Sequence, residues 1–159
     1  MNNFEYCVPT RVIFGRDTQK RAGELIKEYG FRKVMIHYGG GSVKRSGLLD
    51  QVTASLRDAG IAMVLFGGHQ ATATLTQALA AMEICRRESV DFILAVGGGS
   101  VIDSAKCIAD GAPNPEIDPW KFFMKEAVPP KALSHGNILT LSASGSETRQ
   151  SCVVNNEEH

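Results

Sequence analysis

Apolar residues fall along this chain in two alternating periods: short continuous runs, then stretches in which they recur every three or four positions. Tyr6 to Phe14 is rich in β-branched and aromatic residues and precedes Gly15-Arg16-Asp17, which predicts an extended segment ending in a turn, with Pro9 favouring a sheet edge. From Thr18 to Tyr29, Ala22, Leu25, Ile26 and Tyr29 mark one helix face and Gly30 a stop. Val34-Met35-Ile36 predicts a strand, Gly39-Gly40-Gly41-Ser42 a turn, and Leu48, Val52, Leu56 and Ala59 the inner face of a helix closed by Gly60. Ala62 to Phe66 repeats the strand, Gly67-Gly68 ends it, and Leu75, Leu79, Met82 and Cys85 or Arg86 predict a helix reaching about Ser89.

Phe92 to Val96 is apolar without interruption, as strands covered on both faces are, and runs through Gly97-Gly98-Gly99-Ser100 into a small-residue helix from Val101 to Ala109. Asn114-Pro115 and Asp118-Pro119-Trp120 predict a loop with one helical turn, Pro129-Pro130 a second break, and Ile138 to Leu141 a last buried strand. Val153-Val154 offers one more short strand, and the tail from Asn155 to His159 reads as frayed. Three strand-to-helix units in series require crossovers, so the predicted fold is a doubly wound parallel α/β domain spanning residues 1–159.

Composition narrows the partners. The 159 residues carry 17 basic and 17 acidic side chains and no long run of one sign, which argues against nucleic acid or an anionic membrane surface. No run of eighteen apolar residues and no secretory leader is seen at Met1 to Glu5, so the expected location is cytoplasmic. Cys7, Cys85, Cys107 and Cys152 are far apart and read as free, buried thiols. His37, His69, His135 and His159 are each isolated, with no metal-ligand spacing.

The candidate chemistry lies in the two Gly-Gly-Gly-Ser runs, at 39–42 and 97–100. Both follow strands, and ligands of open parallel sheets bind at the carboxyl ends of strands. Glycines there allow close backbone approach, and the helix after Gly97 to Ser100 would turn unpaired N–H groups toward a pyrophosphate. A tight connection without a ligand is the alternative reading of the same residues. Neither G-x-G-x-x-G nor a P-loop is present.

Gly97-Gly98-Gly99-Ser100-Val101-Ile102-Asp103-Ser104-Ala105-Lys106 resembles the G-G-G-S-x-x-D-x-A-K signature of the iron-containing alcohol dehydrogenases. Pro9 to Gly15 is similar to that family's opening strand, and Asp118-Pro119-Trp120 and Gly145-Ser146-Glu147 match two later landmarks. Tyr38-Gly39-Gly40-Gly41-Ser42-Val43-Lys44 resembles the butanol dehydrogenase and aldehyde reductase branch, which implies NADP(H) rather than NAD(H). The residues argue the same way: Gly39, Gly40, Gly41 and Ser42 with Lys44 or Arg45 offer donors and positive charge, with no carboxylate to repel a 2′-phosphate. The resemblance further places Thr140 and Ser144 near the cofactor. Asp103 and Lys106, three apart on one helix, either pair or cap and so organise the phosphate loop, or Asp103 contacts the nicotinamide end. Ser142 stands where the family usually has proline and Ser144 where it has threonine, and 67–73 lacks the usual acidic residue and Asn-Pro step.

Hydride exchange between NADP(H) and a small aldehyde or primary alcohol, with a divalent metal, iron or zinc, as Lewis acid, is what the resemblance implies. The family holds its metal on one aspartate and three histidines in a helical second domain that would begin beyond this chain. The chain is therefore expected to be the cofactor-binding half, inactive alone, or else a non-catalytic NADP(H)-binding fragment. An incompletely folded or oligomeric fragment, and a relative acting on phosphorylated polyols or sugar phosphates, are further alternatives. A homodimer through the 6–14 edge is a further expectation.

Overall fold

The structure, a computed structural model, describes residues 10–67 and 73–157. Strands β1 (Lys33–Tyr38), β2 (Ala62–Phe66), β3 (Phe92–Gly97) and β4 (Ser134–Leu139) form one sheet in the order β2-β1-β3-β4, every pair parallel. Parallel neighbours cannot be joined by a tight turn, so the chain crosses the sheet between them. Helix α1 (Ala22–Glu28) precedes β1, and the crossings carry α2 (Gly41–Arg45), α3 (Leu48–Asp58), α4 (Leu75–Arg87), α5 (Gly99–Gly111) and the single turn α6 (Trp120–Phe123). None of the helices among the described residues is long and apolar enough to cross a membrane.

Strand alternation divides the core in two. Ile93 and Ala95 of β3 and Met35 of β1 join a cluster with α4 and α5 residues such as Ala78, Met82, Ile102 and Ile108. Phe92, Leu94 and Val96, with Val34, Ile36 and Tyr38, join Ile26, Val52 and Leu56 on the other face. Because successive side chains of a strand point to opposite faces, a strand apolar at every position can satisfy two helical layers at once. The doubly wound α/β fold expected from the sequence is the one observed.

Several boundaries differ from the sequence reading. Val12 to Phe14 form no strand, and Phe14 is 99% exposed; extended segments become strands only where a neighbour takes their hydrogen bonds, and among the described residues no strand pairs with them. Tyr6 to Pro9 lie outside the described residues. The inner face of α4 is Leu75, Ala78, Ala81, Met82 and Cys85, leaving Leu79 exposed, because small residues let α4 approach α5 closely. The last strand begins at Ser134, not Ile138, and is half-exposed rather than buried, since it pairs with β3 on one edge only. Its first residues, Ser134-His135-Gly136-Asn137, lack an apolar pattern, and pairing with Phe92 to Ala95 makes them a strand.

The tail is not frayed at Asn155. Its N–H donates to the Ala73 carbonyl at 2.8 Å, and its carbonyl accepts from Leu75 N–H at 2.9 Å, a single parallel bridge in place of the expected strand. Val154 is buried beside it, whereas Val153 is exposed. Further back, Lys106 fastens this C-terminal segment to α5. Its Nζ donates to Ser146 O at 2.6 Å, Ser146 Oγ at 2.8 Å and Ser151 O at 2.9 Å, using all three ammonium hydrogens.

Two variants test this packing. A Cβ at Gly23 would collide with the Ser55 carbonyl of α3, a backbone atom that cannot swing aside. Gly23→Ala should therefore lower the stability by about 2 kcal/mol despite its better helix propensity of about 1 kcal/mol, read as a melting point lower by about 4–8 °C. Lys106→Met should cost about 2–4 kcal/mol in urea unfolding, because two carbonyls, Asp103 and the Ser146 hydroxyl lose a buried charged partner.

Candidate functional site

The carboxyl ends of β1, β3 and β4 meet at one level. Gly39 N–H donates to the Val96 carbonyl at 3.3 Å and Thr140 N–H to the Gly97 carbonyl at 3.0 Å, so the three chains are stitched together just where the strands stop. Between them opens a cleft of about 430 Å³. Gly39, Gly40, Ser42 and Val43 form one wall, the turn from Gly97 through Ser100 with Val101 the floor, and Thr140 and Leu141 the far wall. None of these residues is acidic.

Each glycine of the floor has a separate reason. A Cβ at Gly97 would strike the Val101 side chain, and one at Gly99 the Ser144 hydroxyl. At Gly98 a Cβ would meet no atom within 4 Å: this residue presents bare backbone to the cleft. Gly98 is also the N-cap of α5, with extended backbone and no side-chain cap, and its carbonyl accepts from Val101 and Ile102. The helix thus starts two residues before the predicted Val101, with its positive end directed at the cleft floor.

Gly41, Asp103 and Ser144 adjoin the cleft without being among its lining residues. Gly41 begins α2, and its Cα lies under the Arg45 guanidinium. Asp103 accepts a hydrogen bond from the Ser146 hydroxyl and lies 3.9 Å from the Lys106 ammonium. Burial pulls the Lys106 ammonium below the ordinary lysine range, and the Asp103 charge pushes the other way. Ser144 Oγ accepts from Ser146 N–H at 3.3 Å and rests on Gly99. The pairing of Asp103 with Lys106 is therefore present as one corner of a network that holds the loop after β4 over the glycine turn.

Sequence reasoning passed over Val43, Val101 and Leu141, whose apolar side chains read as core or as strand. The role of Lys106 was visible only as an i, i+3 partner of Asp103; its three bonds to Ser146 and Ser151 need the folded chain. His37 is fully buried in β1, with Nδ1 3.2 Å from the Phe66 carbonyl and its ring stacked on Phe66. His69, His159 and Cys7 lie outside the described residues, as does most of the 67–73 departure. Cys85 and Cys107 are buried and Cys152 partly so, all free. Burial pushes the Cys85 thiol up to about 12 and the Cys152 thiol to about 11, which keeps both protonated and unreactive at neutral pH.

A family model described as iron-containing alcohol dehydrogenase matches residues 9–159. Over 158 residues the chain is 44% identical to "Probable NADH-dependent butanol dehydrogenase 1" of Bacillus subtilis, covering 99% of this chain and 40% of that protein. It is 41% identical to "NADPH-dependent aldehyde reductase YqhD" of Escherichia coli, covering 97% of this chain and 39% of that protein. Among solved structures, NADH-dependent butanol dehydrogenase A from Thermotoga maritima superposes with a TM-score of 0.96 at 43% identity, covering 99% of this chain and 39% of that one. The chain thus spans about 40% of the length of the curated relatives it matches. With the glycine turns, the parallel sheet and the match across 9–159 in agreement, this chain belongs to the iron-containing alcohol dehydrogenase family, whose matched members are named as NAD(P)H-dependent alcohol dehydrogenases and aldehyde reductases.

Proposed function

We propose that this chain is the cofactor-binding domain, residues 1–159, of a dehydrogenase that exchanges hydride between NADP(H) and an aldehyde or primary alcohol. The observation that carries the reading is the bare backbone of Gly98 at the uncapped start of α5, on the floor of a cleft where three parallel strands end. A pyrophosphate there would meet N–H groups and the positive end of a thirteen-residue helix with no side chain in between. When bound, the dinucleotide supplies the hydride. The chain's own contribution is binding and orientation: Gly97, Gly98, Gly99 and Ser100 at the pyrophosphate, Gly39, Gly40, Gly41 and Ser42 at the adenosine end. Thr140 would lie along the far wall, with Ser144 and Asp103 holding the loop behind it.

Preference for the 2′-phosphorylated cofactor rests on charge. Among the described residues the cleft has no acidic lining, and Lys44 and Arg45 belong to the short helix that begins at Gly41. A carboxylate at this corner would accept bonds from ribose hydroxyls and repel a phosphate, whereas cations and N–H groups favour one. The named relatives include both NADH- and NADPH-dependent enzymes. Among the described residues no group of three His, Cys, Asp or Glu side chains is placed to hold a metal ion. This reading assigns the Lewis-acid metal, iron or zinc, to the part of the relatives' length that the chain does not span.

Thermal melting with each cofactor tests the reading. NADPH at 100 times its Kd should stabilise the chain by about 2.7 kcal/mol, a rise of about 5–10 °C, with a smaller rise for NADH at the same concentration. No response to either cofactor would overturn the assignment, and butanal should not be reduced by this chain alone. Gly98→Ala should weaken NADPH about tenfold by calorimetry while moving the unliganded melting point by less than about 3 °C, because its methyl group enters only the open cleft.

A further inference from the structure

The cation that this reading assigns to the 2′-phosphate is itself held by an aromatic ring. Tyr38 ends β1, immediately before Gly39 of the cleft wall, and is 8% exposed. Gly67, the residue after β2, lies against this ring so closely that a Cβ there would overlap its phenolic edge. Lys44 of α2 carries its ammonium 5.3 Å from the ring centroid, within reach of a cation–π attraction. No carboxylate among the described residues pairs with Lys44.

An exposed lysine has a long, freely rotating stem, and ordering it on a ligand costs rotamer entropy. A carboxylate partner would remove that freedom but cancel much of the charge. An aromatic face holds the ammonium and leaves its charge available to an anion. Fixed by the sheet below and by Gly67 beside it, the Tyr38 ring is a rigid platform at the start of the glycine turn.

We infer that Tyr38 is a positioning residue for cofactor specificity: its ring holds the Lys44 ammonium at the Gly39–Ser42 turn, where the charge discriminates a ribose 2′-phosphate from a 2′-hydroxyl. The inference rests on the proposed adenosine end of the cleft. It gives the glycine at 67 a purpose as well, since any side chain there would displace the ring from Lys44.

The test is calorimetric titration of the chain with 2′,5′-ADP and with 5′-AMP, probes that differ only in the 2′-phosphate, and the quantity read is the ratio of their Kd values. Tyr38→Phe should keep the ratio of the unaltered chain within about twofold, because the ring face remains. Tyr38→Leu should lower the preference for 2′,5′-ADP about fivefold, equivalent to roughly 1 kcal/mol. Lys44→Met should lower it at least as far, and adding Tyr38→Leu to Lys44→Met should lower it no further, since the ring acts through the lysine. Gly67→Ala gives the same loss by an independent route if Tyr38→Leu does not fold. A packing defect alone would weaken both probes together and leave the ratio unchanged; that result, or an additive double variant, overturns the inference. Equal binding of the two probes by the unaltered chain would instead overturn the NADP(H) reading of the turn, and the inference with it.

Discussion

The structure depends on β3 being apolar at every position and covered on both sides. Its six residues are all buried, and it lies between β1 and β4, so the ladder from Phe92 to Gly97 sets the height of its neighbours. Tyr38 pairs with Val96 and Leu139 with Gly97, which brings three strand ends to one level. A slip of one residue would exchange the two core clusters across the sheet, and the burial of Ile93 and Leu94 on opposite faces makes that slip costly. The cleft is a consequence of this register: it is the space left where three strands stop together and their chains turn away.

Much of what lines that space is main chain. Six glycines stand in the two turns, and the floor offers N–H groups and a helix end rather than charged side chains. A backbone site of this kind needs rigid support, since no side chain can swing in to compensate for a displaced loop. The support comes from behind. Lys106, in the interior of α5, draws the Ser146 and Ser151 carbonyls inward, and Ser146 in turn bonds Asp103. The part of the signature most distant from the cleft is therefore the part that holds its upper loop in place.

Among the described residues, charge enters at the rim. Lys44 and Arg45 are exposed, follow directly from the 39–42 turn, and differ in how they are held: Arg45 folds back over Gly41, whereas Lys44 stands on the Tyr38 ring. The division of labour is physically sensible. On the proposed reading, the pyrophosphate common to both nicotinamide cofactors would be met by backbone, and the single phosphate that separates them by side-chain charge.

By itself the sequence determined the order of elements, the parallel α/β class and both glycine turns, because each is written in local terms: continuous apolar runs, three-to-four-residue periodicity, and glycine after a strand. The signature from Gly97 to Lys106 was legible for the same reason, being contiguous. Tertiary structure alone decided what depends on a distant partner. Ser134 to Asn137 became a strand because β3 offered hydrogen bonds, and among the described residues no strand pairs with Val12 to Phe14. Leu79 turned outward because α4 packs on α5 through smaller residues. Gly67 against Tyr38, and Lys106 against Ser151, join residues 29 and 45 positions apart, and no local pattern encodes a contact whose energy exists only once the chain has closed around it.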